Sequence, residues 1–364
     1  MKLDQIKIKG FKSIKEADIE LGDLNVLIGA NGAGKTNFIS LFKLLNKMIE
    51  GNLQKHITQG SGAENFLFFG SKTTDRIELF LKFANNGYEA KFYQDNSDRL
   101  IFEEEKCYFQ GPEYKKPYKE VIGTNHSETA LLEIMKIPKM TVGNHVVENL
   151  KSWKYYHFHD TSDSAKVKKM CQINDNMYLR TDASNLAAFL YLMQEKHHEN
   201  YEAIRDTVRL VAPFFDNFIL RINPFNEEMI RLEWREKGSD FPFLANQLSD
   251  GTLRFICLAT VLLQPKPQLP STIIIDEPEL GLHPYAIKVL ASLMKSASKH
   301  TQIIVSTQSV PLVNEFEPEN LIVVDKIENA SVFKKVTSKE LSSWLEEYTL
   351  GELWEKNVLG GRPQ

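Results

Sequence analysis

Cysteine is scarce in this chain of 364 residues: three occur, at Cys107, Cys171 and Cys257. An odd and widely scattered set excludes a disulfide framework and a zinc pattern, and it fits a reducing compartment. Long apolar runs are missing too. The stretch around Thr272–Ile275 falls far short of a bilayer span, and the opening Met1-Lys2-Leu3-Asp4 has no apolar core of a secretory signal. Neither sign of charge dominates. The 44 Lys and Arg against 48 Asp and Glu leave a net charge of −4, which excludes a chain that coats nucleic acid by bulk charge. Repeats, low-complexity tracts, long heptad runs and a CxxC pair are all absent, so a long coiled-coil arm or hook is excluded. With 42% hydrophobic and 25% charged residues, the expectation is a soluble cytoplasmic protein, one large domain or one domain with an insertion.

Along the chain, Ile6, Ile8, Ile14, Ala17 and Ile19 alternate as two strands around a turn at Gly10–Ser13, and Leu24–Ile28 reads as a buried strand. Phe38, Ile39, Leu41, Phe42, Leu45 and Met48 then recur at helical spacing. Arg76–Phe83 and Tyr88–Tyr93 read as paired strands about Asn85-Asn86-Gly87, and 111–118 as a surface loop. Ser184–Lys196 and Tyr201–Leu210 read as helices, and Met229–Trp234 as a strand with a hairpin at Lys237-Gly238. A helix from Ser249, the strand Thr272–Ile275, a helix over Tyr285–Ala297 and strands at Thr301–Ser306 and Asn320–Asp325 follow. A last helix over Lys339–Trp344 and a loose tail from Gly360 complete the pattern.

Three motifs carry chemistry. Gly29-Ala30-Asn31-Gly32-Ala33-Gly34-Lys35-Thr36 matches the phosphate-binding P-loop at every fixed position and stands between a strand and a helix. Its glycines let backbone N–H groups converge on phosphate oxygens, and the helix N-terminus adds positive charge. Lys35 would reach the β- and γ-phosphates of a nucleotide and Thr36 would take a Mg²⁺ position. Thr272–Ile275 runs into Asp276-Glu277 about 240 residues later. A solvated strand end can look the same, but beside a P-loop Asp276 would hold Mg²⁺ and Glu277 would orient or deprotonate water. Leu248-Ser249-Asp250-Gly251-Thr252-Leu253-Arg254 is the third, with Ser249 also fit to cap its helix.

That third motif resembles the signature of ABC-type ATPases in the RecF/SMC/OLD branch. The resemblance extends to Leu3–Ser13, where Lys12-Ser13 matches the adenine-side turn, and to Pro278–Pro284, which matches the D-loop. At Ser306-Thr307-Gln308-Ser309 the chain departs from the family: Gln308 stands where the switch histidine is usual, and an amide carries no proton. A Q-loop glutamine is not evident, with Gln59 a weak candidate. The resemblance implies an α/β fold: an ABC-type P-loop ATPase head with a mixed sheet and helices and an α+β insertion. One head over 1–364 is expected, its lobes from about 1–150 and 230–335, a mainly helical insertion over about 150–230 and a helical tail over 336–364. It also implies ATP and Mg²⁺ as ligands. The nucleotide site would comprise Gly29, Asn31, Gly32, Ala33, Gly34, Lys35, Thr36, Asn37, Lys12 and Ser13. Ser249 and Gly251 would come from a second subunit of a homo-oligomer that is at least a head-to-tail dimer.

Beyond the head, the whole chain resembles stand-alone bacterial ATPases of this branch that are encoded beside a separate nuclease, often in anti-phage defence loci. The resemblance therefore implies an effector nuclease as partner; 56 residues follow Gln308, which is too few for the Toprim nuclease of full OLD proteins. A RecF-like ATPase acting directly on DNA is the alternative. The basic runs Lys166, Lys168 and Lys169, and Lys115, Lys116 and Lys119, could touch phosphates or be solvated surface. His157-Phe158-His159-Asp160 allows metal ligation, although a polar strand edge is the commoner meaning of such a run.

Overall fold

A computed structural model of the chain describes residues 2–111, 116–136 and 142–361. The alternation in the first strands produces an antiparallel sheet. β1 (Gln5–Phe11) turns at Lys12-Ser13 into β2 (Ile14–Glu20), pairing Ile6 with Ile19 and Ile8 with Ala17. β3 (Leu24–Ile28) is buried at every residue and belongs to another sheet. After the glycine loop, α1 (Lys35–Ile49) and α2 (Leu53–Gln59) precede β4 (Arg76–Phe83), β5 (Asn86–Gln94), β6 (Leu100–Phe109) and β7 (Tyr118–His126). These extend the first sheet in the order β2-β1-β4-β5-β6-β7.

Helices α3 (Leu131–Ile134) and α4 (Val142–Ser152) lead to β8 (Trp153–Tyr156). Short strands β9 (Cys171–Gln172) to β14 (Pro242–Leu244) form two three-stranded sheets beside α5 (Leu186–Lys196) and α6 (His198–Val211). Then come α7 (Asp250–Leu263), β15 (Thr272–Asp276), α8 (Pro284–Ala297), β16 (Gln302–Thr307), α9 (Val310–Val313), β17 (Leu321–Ile327) and β18 (Ala330–Lys335). Two short helices, α10 (Ser338–Leu341) and α11 (Leu350–Glu355), follow.

The central sheet runs β18-β17-β3-β16-β15-β8 and is parallel except for β18. Its inner strands β3, β15 and β16 and the first half of β17 are buried on both faces, as a covered parallel sheet requires. Leu24, Val26, Ile28, Ile273, Ile275, Ile303 and Val305 join one core with α5–α8. Leu27, Ile274, Ile304 and Ile322 join the other, with α1 and the antiparallel sheet. The parallel direction brings Ile28, Tyr156, Asp276 and Thr307 to one sheet edge, where open α/β sheets bind their ligands.

Several expectations need correction. Within the span 150–230, expected as a mainly helical insertion, β8 is an edge strand of the central sheet, and α5, α6 and Phe215 share the core of α7 and α8. Met229–Trp234 is not one strand, because Asn226–Ile230 and Glu233–Glu236 belong to different sheets. The helix expected over Lys339–Trp344 is the shorter α10, Ser338–Leu341, and a further helix, α11, follows it. Gly361 is not loose, for its carbonyl accepts from Ala30 N at 2.6 Å. Residues 112–115, in the expected surface loop, and 362–364 lie outside the described residues. Among the described residues no helix is long and apolar enough to cross a membrane.

Candidate nucleotide site

The loop from Gly29 to Gly34 joins β3 to α1 at the ligand edge. Gly34 has φ +117°, and a Cβ there would run into the Ser331 hydroxyl, so only glycine fits. Lys35 is 5% exposed, and its Nζ donates to the carbonyls of Gly29 at 2.6 Å and Ala30 at 3.0 Å. Burial pushes the Lys35 ammonium pKa down, while the charges of Glu277, Asp276 and Glu279 pull it up. Asn31, Gly32 and Thr36 are exposed, Ala33 is buried and Asn37 half-buried.

Sequence reasoning missed the brace behind this loop. Ser331 on β18 donates to the Ala33 carbonyl at 2.7 Å, meets the Ser13 hydroxyl at 2.7 Å and is 1% exposed. Asn37 Nδ2 donates to Ser13 Oγ at 2.7 Å. Lys12 and Ser13 thus lie with Asn37 in one open cleft of about 660 Å³ beside the loop. Burial first, and the neighbouring Lys43 charge second, lower the Lys12 pKa.

At the end of β15, Asp276 accepts from the Ser306 hydroxyl. Glu277 has φ +44°, an uncommon backbone for a non-glycine residue and one that persists where the surroundings enforce it. Its amide donates to Ser306 O at 2.9 Å, and its carboxylate accepts from Gln308 Nε2 at 2.5 Å. Glu279, which sequence reasoning also passed over, accepts from Thr307 Oγ1 at 2.5 Å and from Gln308 N at 3.2 Å. Burial, with a smaller push from Glu277, raises its pKa, and its Oε2 is buried without a hydrogen-bond partner. Thr36 and Asp276 offer the hard oxygen donors that suit Mg²⁺, and the buried Lys35 and the P-loop amides suit a polyphosphate. The residues present therefore fit a Mg-nucleotide.

Ser249 caps α7, accepting from Thr252 N at 3.2 Å, and it is exposed. Gly251 packs so closely on the Gly281 carbonyl that a Cβ would overlap it. Arg254, 8% exposed, ties this helix to its surroundings. Its Nε donates to Phe158 O at 2.9 Å, Nη2 to His159 O at 3.5 Å and Nη1 to Leu280 O. One guanidinium so holds the signature helix, the D-loop and the segment after β8 together, using the fork of donors that only arginine has. Arg254→Ala should cost about 3 kcal/mol in a denaturant titration, by orphaning buried carbonyls, and should lower kcat more than it raises KM. Arg254→Lys should recover only part of both.

β8 ends at Tyr156, so His157 and His159 leave the sheet edge beside Asp276. Their rings lie 4.0 Å apart, and His159 Nε2 is 3.1 Å from the Asp276 carbonyl. Burial first, then the charges of His159 and Lys43, push the His157 pKa down. Among the described residues no three His, Cys, Asp or Glu side chains are grouped to hold a metal ion, so the metal-centre reading of His157–Asp160 has no ligand set. Gln59 is the exposed last residue of α2, a helix that packs on α1 and on the Ala63–Phe66 turn. The basic run divides: Lys166 pairs with Asp182 at 3.3 Å, and Lys169 is exposed. Lys168, its side chain 6% exposed, donates to Thr161 O at 2.5 Å and lies 3.8 Å from Asp250, which removes it from a DNA surface. Lys116 is exposed and Lys119 pairs with Glu89 at 2.8 Å, while Lys115 lies outside the described residues.

Parallel sheet, P-loop, acidic strand end and signature helix define an ATPase head. A family model described as an AAA domain matches residues 5–216, and another, described as an AAA domain, putative AbiEii toxin, Type IV TA system, matches residues 153–314. Over 94% of its length the chain is 24% identical to the Old nuclease of Escherichia phage P2, and over 89% it is 25% identical to the OLD nuclease of Thermus scotoductus. It spans 62% of the length of each. A stretch of 82 residues, 22% of this chain and 10% of that protein, is 33% identical to the DNA double-strand break repair Rad50 ATPase of Saccharolobus solfataricus. The structure of an Smc head bound to the C-winged helix domain of ScpA superposes with a TM-score of 0.56 at 18% identity, covering 94% of this chain and 100% of that one. The chain belongs to the AAA-domain family of P-loop ATPases, in its OLD/RecF/SMC-type ABC branch.

Proposed function

We propose that the chain is an ATP-driven switch that closes head to tail with a second copy and controls a separate effector, a nuclease, in bacterial anti-phage defence. The observation that carries the hydrolytic part is the Gln308 amide held on the Glu277 carboxylate beside Asp276 and Lys35. The P-loop amides and Lys35 bind the triphosphate, with Thr36 and Asp276 as the holders of Mg²⁺. The bound ion supplies charge neutralisation on the phosphate oxygens. Ser249 and Gly251 at the N-terminus of α7 in a second copy close over the γ-phosphate, where exposed N–H groups and the helix dipole favour an anion.

For turnover, Gln308 yields the Glu277 carboxylate to a water, which attacks the γ-phosphorus as Glu277 takes its proton. The bond to the β,γ-bridging oxygen breaks, and ADP and phosphate leave. Gln308 positions and carries no proton. The names of the two OLD relatives support a link to nuclease chemistry, while the Rad50 stretch favours a DNA-repair ATPase as the second reading. The composition supports a cytoplasmic setting.

The test is affinity capture of Glu277→Gln with Mg-ATP from the native host, with co-purifying proteins identified by mass spectrometry. Stoichiometric recovery of a nuclease is expected. Recovery with DNA and repair factors alone would transfer the reading to DNA maintenance.

A further inference from the structure

The cleft beside the P-loop carries a residue that the phosphate chemistry does not use. Phe69 lines it together with Lys12, Ser13, Asn37, Lys326 and Asn329. Its side chain is 61% exposed and its backbone sits at φ +56°. A bulky residue at positive φ is an outlier, and an exposed aromatic gains no core packing in return. The loop that imposes this backbone is tied down on both sides. Lys12 N donates to Phe66 O at 2.9 Å, Phe68 N to Gly10 O at 3.0 Å and Thr74 Oγ1 to Phe68 O at 2.6 Å, and Leu67 bridges to Phe11. Phe68 is buried and meets Phe69 edge-on, with centroids 4.7 Å apart. The backbone that carries the ring is therefore fixed beside a polar cleft, and Asn37, which follows Thr36 in the sequence, lines the same cleft.

The geometry points to Phe69 as the platform on which the base of the bound nucleotide stacks. This inference rests on the nucleotide reading of the P-loop. An aromatic fixed beforehand loses little freedom on binding, and its face accepts any purine, so it adds affinity without choosing between adenine and guanine. Lys12, Asn37 and Asn329 remain as the polar rim for the base edge and the sugar.

Full-length wild type and the variants Phe69→Ala, Phe69→Trp and Phe69→Gly are titrated calorimetrically with Mg-ATP, Mg-GTP and Mg-tripolyphosphate, the last a probe without a base. ATP and GTP should each bind about ten-fold more weakly to Phe69→Ala and Phe69→Gly and near the wild-type level to Phe69→Trp, with tripolyphosphate unchanged throughout. Phe69→Gly should also melt higher than Phe69→Ala, because glycine relieves the positive φ. Unchanged ATP affinity in Phe69→Ala would overturn the stacking role and leave the P-loop reading intact. An equal loss for tripolyphosphate would overturn it too, by making Phe69 a prop of the phosphate loop. Wild-type protein that binds neither tripolyphosphate nor ATP would overturn the nucleotide reading itself.

Discussion

Glu277→Gln should slow ATP hydrolysis by about 10³-fold, the usual contribution of a positioned general base, while Mg-ATP affinity stays within a factor of about two. The two side chains have nearly the same shape, so the amide can occupy the position enforced by φ +44° and still accept from Gln308. It cannot take up a proton. Phosphate release under single-turnover conditions and calorimetric titration separate the two quantities. Turnover near wild type would place the base elsewhere, with Glu279 the next carboxylate along the same loop. Its raised pKa and its buried, unpartnered oxygen would then acquire a chemical purpose.

Ser249→Arg should abolish turnover and spare nucleotide binding, because Ser249 is exposed on α7 and its hydrogen-bond partner is Thr252 of its own helix. A guanidinium at that helix N-terminus opposes the dipole and fills the space where a second head would close. Mixing this variant with Lys35→Ala should restore activity, since each mixed dimer then has one site with a whole P-loop and a whole signature. Ser249→Arg protein that hydrolyses ATP at the wild-type rate would remove the composite site. Failure of the mixture alone would mean that both sites must fire together.

The site was legible where its chemistry is local. Gly29–Thr36 and Thr272–Glu277 each carry their meaning within a few residues, because a loop between strand and helix and the end of a parallel strand are built from neighbours in sequence. What escaped depends on distant partners. Ser331 looks like an ordinary strand residue until β18 folds back on Ala33 and Ser13. Arg254 reads as one more polar helix position until Phe158, His159 and Leu280 surround it. β6 escaped for another reason: Glu103, Glu104, Glu105 and Lys106 break its apolar alternation. Glu105 is nonetheless fully buried, because Tyr88, His126 and the Ala130 amide donate to it at 2.6, 2.9 and 2.7 Å and Thr129 adds a hydroxyl. A carboxylate so satisfied can stand in a core. The ending of the chain misled through its glycines, which mark a close approach to Gly29 and Ala30 and not freedom.

The central sheet also sets a timetable for synthesis. β3, which aims the P-loop, has β16 and β17 as its neighbours, and both lie beyond residue 300. A nascent chain carries its glycine loop without the walls that shape it until β16 and β17 have been made, and such long-range closure is slow. The walls of the glycine loop thus wait on residues more than 260 positions beyond it. A fragment broken off before β16 would carry the glycine loop without the strands that flank β3.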